Sequence, residues 1–241
     1  MVLALLASLA LILVGACGGD DSDSSDGSST QSGDELPPDT DTILAASAQA
    51  MGQVESVAFL LERGGAPVYI DDGESLAVDN ADGRVAVPGK AEALIGITIN
   101  DSLSTQLGAI AVDGETWLSN PITGEFEPLP PSYDIDPTLF FDPQGGWQPL
   151  IEGLVGAELL STDSDDGYHI RGTAPAENIE IVTARLVKGQ DVVVDLWIDP
   201  NSALVNLAEF DTESGGETTS WSLRLSDYGA DFEISPPDVD G

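Results

Sequence analysis

The only cysteine in the chain, Cys17, stands where its thiol can be used. It closes the string Val14-Gly15-Ala16-Cys17: an aliphatic residue, two small residues that fit a narrow protease cleft, then a nucleophilic sulfur. This is the lipobox pattern, in which cleavage falls before the cysteine and the sulfur carries a diacylglyceryl group as a thioether. The uncharged apolar run from Val2 to Val14 is followed at once by Gly18, Gly19 and a string of aspartates. It is well short of the roughly 20 residues that span a bilayer. It therefore reads as the core of a signal peptide that is recognised and removed, not as a membrane span.

Other residues that could do chemistry do not form a set. His169 is the sole histidine, in Tyr168-His169-Ile170-Arg171 directly after a turn signal, and reads as a strand-surface residue. No nucleophile elbow, zinc-protease helix or phosphate loop is present. With 43 Asp and Glu residues, paired carboxylates are expected by chance and carry no weight as glycosidase machinery. Asp163-Ser164-Asp165-Asp166-Gly167 departs from a calcium loop, its glycine one position early and no glutamate at the required spacing; it reads as a hairpin turn. Trp117, Trp147, Trp197 and Trp221 lie in strand-like or helix-start contexts, where packing is the default role. The sequence thus predicts no catalytic residues, no metal site and no cofactor.

Composition narrows the partners. Seven Lys and Arg against 43 acidic residues give a net charge of −36, which repels nucleic-acid phosphates and anionic lipid headgroups and excludes nucleic-acid binding. Without a second cysteine no disulfide forms, so the fold rests on its core.

Around these residues the chain divides into three parts: a signal peptide over 1–16, the lipidated cysteine and an acidic tether over 17–40, and one domain over 41–241. From Gly18 to about Thr40 almost nothing is apolar, so the segment cannot bury enough surface to offset its ordering entropy; as a flexible linker it reaches roughly 25–30 Å. The domain opens with a short amphipathic helix, N-capped by Asp41, with Leu44, Ala48 and Met51 on one stripe and Gly52 at its end. Strands follow. Val57, Phe59 and Leu61 alternate with Ala58, Leu60 and Glu62, and turn signals recur at Asp72-Gly73, Asp82-Gly83, Asp113-Gly114 and Asp166-Gly167. Val192-Val194-Leu196-Ile198 and Trp221-Leu223-Leu225 mark strands with one covered face. Two short helices, over Thr138–Phe141 and Leu150–Val155, lie on the sheet; each follows a proline and is bounded by glycine. Ala91–Val112 supplies many apolar residues and few charges.

In order and spacing these features resemble the LppX/LprG (LppX_LprAFG) family of bacterial lipoproteins, with lipoprotein carriers of the LolA/LolB type as more distant structural relatives. The resemblance covers nearly all of the domain. It is carried by the lipobox at Cys17, Ser56-Val57-Ala58-Phe59, the segment Tyr133…Asp136-Pro137…Phe140-Phe141-Asp142-Pro143, the strand and turn Val194-Asp195-Leu196-Trp197-Ile198-Asp199-Pro200, and Leu225-Ser226-Asp227-Tyr228-Gly229 followed by Pro236-Pro237.

The resemblance implies an α+β fold: a strongly curved antiparallel sheet, a half-barrel, with helices across its concave face enclosing an apolar cavity. It further implies a lipid-anchored protein on the outer, extracytoplasmic face of the cell membrane, not an enzyme. Such a protein binds the acyl chains of a lipid or glycolipid and takes part in their transfer across the envelope, and the further partner the resemblance implies is a membrane lipid transporter. The expected cavity walls are Leu94, Ile97, Leu103, Leu107 and Ile110 on one side and Leu139, Phe140, Phe141, Leu150, Ile151 and Leu154 on the other. The alternative is a non-catalytic envelope lipoprotein with a filled core and a partner surface.

Overall fold

Alternation of period two sets the architecture. Val192, Val194, Leu196 and Ile198 are buried while Val193, Asp195 and Trp197 between them are exposed or half-buried, so a single strand hides one face and shows the other. The computed structural model describes residues 38–70, 73–129, 146–163, 167–183 and 185–238. In chain order its elements are α1 (Thr40–Met51), β1 (Ser56–Gly65), β2 (Val68–Tyr69), β3 (Leu76–Ala86), β4 (Lys90–Ile99), β5 (Leu103–Val112), β6 (Glu115–Ser119) and β7 (Phe126–Pro128). There follow α2 (Trp147–Glu152), β8 (Val155–Asp163), β9 (Gly167–Ala174), α3 (Ala176–Val182), β10 (Val192–Ile198), β11 (Val205–Ser214) and β12 (Glu217–Ser226).

All twelve strands belong to one open sheet in the order β7-β6-β5-β4-β3-β1-β12-β11-β10-β9-β8, with β2 pairing to β3 off this path. The described pairings are antiparallel throughout. The fold is therefore the expected one, a largely antiparallel sheet that does not close, with a few helices. Two meanders, β1–β7 and β8–β12, meet where the first long strand pairs with the last, from Ala58 opposite Ser226 to Gly65 opposite Thr219.

The helices cover one face. Ile43, Leu44, Ala48 and Met51 of α1, Trp147, Leu150 and Ile151 of α2, and Ile179 and Val182 of α3 pack with Val57, Val85, Ile170, Val194, Leu196, Phe210, Trp221 and Leu223 in one core. The opposite face has a cover of its own at the β5–β7 end, where Ile234 and Phe232 of the C-terminal tail pack on Val112, Trp117, Ile110 and Phe126.

Local chemistry explains the boundaries, with corrections to the sequence reading. The N-cap of α1 is Asp39, not Asp41: its carboxylate accepts from Thr42 N at 3.0 Å and from Thr42 Oγ1 at 2.8 Å. Gly52 ends the helix as expected. Asp113-Gly114 is a two-residue hairpin turn with φ of 51° and 87°, the left-handed pair that the twist of adjacent strands demands.

Asp82-Gly83 is no turn. It lies inside β3, and Gly83 sits opposite Phe59. A Cβ on Gly83 would fall 2.6 Å from Phe59 Cζ and 2.5 Å from the Glu92 carbonyl oxygen, so the glycine leaves room for a ring instead of reversing the chain.

Helix α2 begins at Trp147 and ends at Glu152, and Val155 already belongs to β8, so the helix expected over Leu150–Val155 starts and stops earlier. The helix expected over Thr138–Phe141 lies outside the described residues, as do Asp72 of one turn signal and Asp166 of another. Among the described residues no helix is long and apolar enough to cross a membrane.

Substituting Gly83→Val should destabilise the protein by about 1–3 kcal/mol, the usual cost of overpacking a filled site. Urea unfolding followed by tryptophan fluorescence checks it, and an unchanged midpoint would show that the strands part to admit the side chain.

Candidate functional site

Where α2 and α3 cross β10–β12, packing leaves a slot. Its floor comes from alternate strand residues of the covered face: Val194 of β10, Ala208 and Phe210 of β11, Trp221 and Leu223 of β12, and Leu61 of β1. These are cross-strand neighbours, Val194 opposite Phe210, Phe210 opposite Trp221, and Leu223 opposite both Ala208 and Leu61. Its roof is Trp147 and Leu150 of α2, Ile179 and Val182 of α3, and Thr183, Leu186 and Val187 just beyond. The two helices act as one cover, because Asn178 Nδ2 of α3 donates to the Pro149 carbonyl of α2 at 3.1 Å.

The slot is so narrow that the centre of a water molecule can reach only about 30 Å³ of it. That is room for one or two waters. Among the described residues no charged side chain lines it. Its polar atoms are few and mostly committed: Trp221 Nε1 donates to Thr212 Oγ1 at 3.0 Å. Thr183 Oγ1 donates to the Ile179 carbonyl at 2.7 Å and accepts from Val187 N at 3.2 Å. A lining of this kind offers hydrocarbon contact and cannot stabilise developing charge.

The residues named from sequence fall in several places. Leu150 lines the slot; Ile151 is buried beside it in the helix-covered core, with Leu154 half-buried against that core. On β4 and β5, Ile97 (0 % exposed) and Leu107 (4 % exposed) share the covered face with Ala91 and Ala111. Leu103 has the same strand phase but, at the end of β5, is 59 % exposed.

Leu94 and Ile110 point the other way: Leu94 pairs with Gly108 and is 46 % exposed, while Ile110 pairs with Glu92 and Trp117 and packs under the C-terminal tail. A single wall cannot hold both sets, since one step along a strand changes face. Leu139, Phe140 and Phe141, and Cys17, lie outside the described residues.

Sequence reasoning passed over α3 and the β11 residues. The available signals were Pro175 ahead of Ala176, Glu177 in the first turn and Ile179 three residues before Val182, a stretch of seven residues whose periodicity is too brief to stand out.

Away from the slot, His169 lies on the opposite sheet face. Its ring stacks on Trp197 with centroids 4.2 Å apart and planes within 11°, and its Nε2 is 2.6 Å from Asp195 Oδ1. An ionised carboxylate only accepts, so this nitrogen carries the proton. Arg171 grips the same carboxylate with Nε on Oδ1 and Nη2 on Oδ2, both at 2.9 Å. Burial alone would raise the Asp195 carboxyl, but the hydrogen bonds of Arg171 and His169 and their charges outweigh it and hold the group below its ordinary value. Among the described residues no cluster of His, Cys, Asp or Glu could hold a metal ion. This triad is a clasp across β9 and β10.

The model of the LppX_LprAFG lipoproteins matches residues 39–234 of the chain. No curated protein matches it significantly. Among solved structures, LprF from Mycobacterium bovis is similar with a TM-score of 0.63 at 19% identity, over 83% of this chain and 96% of that one. LppX from Mycobacterium tuberculosis is similar with a TM-score of 0.54 at 18% identity, over 81% of this chain and 100% of that one. At these identities the likeness is one of fold.

The clasp should leave a pH signature. The folded carboxyl of Asp195 lies below the ordinary aspartate range, so its contribution is complete above about pH 4 and disappears as pH falls through the lower folded value. Asp195→Asn should be less stable than wild type at pH 7, and the gap should shrink as pH is taken below 4. Urea midpoints across that range measure it; a gap that stays constant with pH would show that the carboxylate charge does not matter.

Proposed function

We propose, since the chain belongs to the LppX_LprAFG lipoprotein family, that it binds the acyl chain of a membrane lipid or glycolipid between its sheet and short helices and takes part in moving that lipid across the envelope. The observation that carries this reading is the slot under α2 and α3, walled by hydrocarbon and free of charge. Each methylene moved from water into such a space gains about 0.8 kcal/mol, so a chain is held without a recognition motif.

In the state described the slot is nearly shut, and loading requires the α2–α3 cover to lift. The cover suits that task. Its helices are six and seven residues long, too short to persist alone, and they are tied to each other by Asn178. Ile97 and Leu107, on the same covered face, extend the wall toward β4 and β5, and Leu139, Phe140 and Phe141 belong to the segment that leads into α2. The protein acts by binding, not catalysis; its one histidine is engaged on the far face of the sheet. Cys17 anchors it, and the acidic stretch over 17–40 tethers the domain at the outer face of the membrane.

Purified protein extracted with organic solvent should release acyl lipid in near-stoichiometric amount by mass spectrometry. Protein that is folded and lipid-free from a lipid-replete host would overturn the reading in favour of an envelope interaction protein with a filled core.

Ala208→Phe places a ring in the slot and should cut lipid loading at least tenfold, with a melting temperature lowered by the overpacking of a nearly shut space. Leu107→Phe, in the other half of the sheet, serves as the comparison. Loss of loading in the Leu107 variant alone would move the binding site to β4 and β5.

A further inference from the structure

We infer that Trp147 reads the carbonyl oxygen of the bound acyl chain: its indole Nε1 donates to that oxygen and so sets how deep the chain sits. This rests on the slot being the lipid site. Three side chains in its wall carry polar atoms, Trp147, Trp221 and Thr183. Trp221 Nε1 is engaged by Thr212 Oγ1, and Thr183 Oγ1 is engaged by Ile179 and Val187. Trp147 is 3 % exposed and its Nε1 has no partner among the described residues.

Natural folds seldom leave a buried donor unpaired. Ser47 Oγ, the other unpartnered buried side-chain atom among the described residues, does not line the slot, and a hydroxyl within a helix has the carbonyl one turn back to rotate toward. The indole N–H is fixed in its ring and has no such recourse.

The chemistry of the complement follows. An indole N–H donates and never accepts, so its partner is an oxygen that needs no donor in return. An ester carbonyl meets that requirement. A bare hydrocarbon offers no acceptor. An ionised carboxylate would lose its hydration against a wall with no cationic side chain. The slot therefore discriminates by the linkage at the head of the chain, and Trp147 is the residue that makes the distinction.

The test is a competition. The full-length protein, delipidated, is incubated with phosphatidylcholine vesicles carrying equal amounts of 1,2-dioleoylglycerol and its 1,2-di-O-oleyl ether counterpart, and the bound species are quantified by mass spectrometry. Wild type should retain the diester over the diether by about five- to tenfold, the worth of one hydrogen bond in an apolar site. Trp147→benzothienylalanine, which exchanges the N–H for sulfur in a ring of the same shape, should retain diester and diether in equal proportion whatever the total it loads; Trp147→Phe should do likewise.

Equal retention of both lipids by wild type, or a preference that survives in either variant, would overturn the role of Trp147 and leave the slot as a lipid site. Retention of neither lipid by wild type would overturn the slot reading itself.

Discussion

The pairing of β1 with β12 is the constraint on which the rest of the molecule depends. It joins two meanders that otherwise share no ladder, and it brings Phe59 and Leu61 against Leu225 and Leu223 on the covered face. Leu61 and Leu223 are floor residues of the slot, so the candidate site exists only because this seam forms in this register. The seam is extended beyond the ladder: Gly229 N donates to the Ser56 carbonyl, and Ser56 Oγ donates to the Ala230 carbonyl at 2.6 Å. Tyr228, the residue before Gly229, donates to the Val205 carbonyl and reaches Met51 Sδ. Its hydroxyl thus ties the end of α1 and the start of β11 to the seam, and burial raises its ionisation far above the ordinary phenol range.

A slot of this kind changes how lipid binding should be thought of. A lipid tail in a bilayer is already out of water, so moving it into an apolar slot exchanges one hydrocarbon surrounding for another and costs little in either direction. The gain of about 0.8 kcal/mol per methylene is measured against water, and under the proposed function it would keep a bound lipid from being released into water. A cover that lies nearly shut serves the complementary purpose, since it spares the apolar walls from wetting. The strongly acidic exterior adds a repulsion from anionic headgroups, which leaves the proposed tether to hold the domain near its membrane.

Much of this fold was legible because alternation and turn chemistry are local. Val192–Ile198 and Trp221–Leu225 announced their covered faces, Asp113-Gly114 announced its hairpin, and Gly52 its helix end. The failures share a cause: a residue type was assigned one physical reason when another governed. Gly83 is a glycine because Phe59 lies against it, a fact that depends on a strand more than twenty residues away. Leu94 and Ile110 were grouped with Ile97 and Leu107 because apolar residues on a sheet normally face one core, whereas here the C-terminal tail supplies a second cover for Ile110. Helix α3 was too short for its period to register. The free N–H of Trp147 could not be read from sequence at all, since the partners that satisfy Trp221 and Thr183 are set by packing.

The seam also dictates when the molecule can come into being. Its central ladder needs Ala58 and Ser226 together, so the nascent chain has nearly all of its residues behind it before the middle of the sheet can zip. Until then the first meander has an open edge and the helices have only part of a surface to sit on. Closure of the middle of the sheet is thus a late event in folding, set by the arrival of the last strand and not by the first.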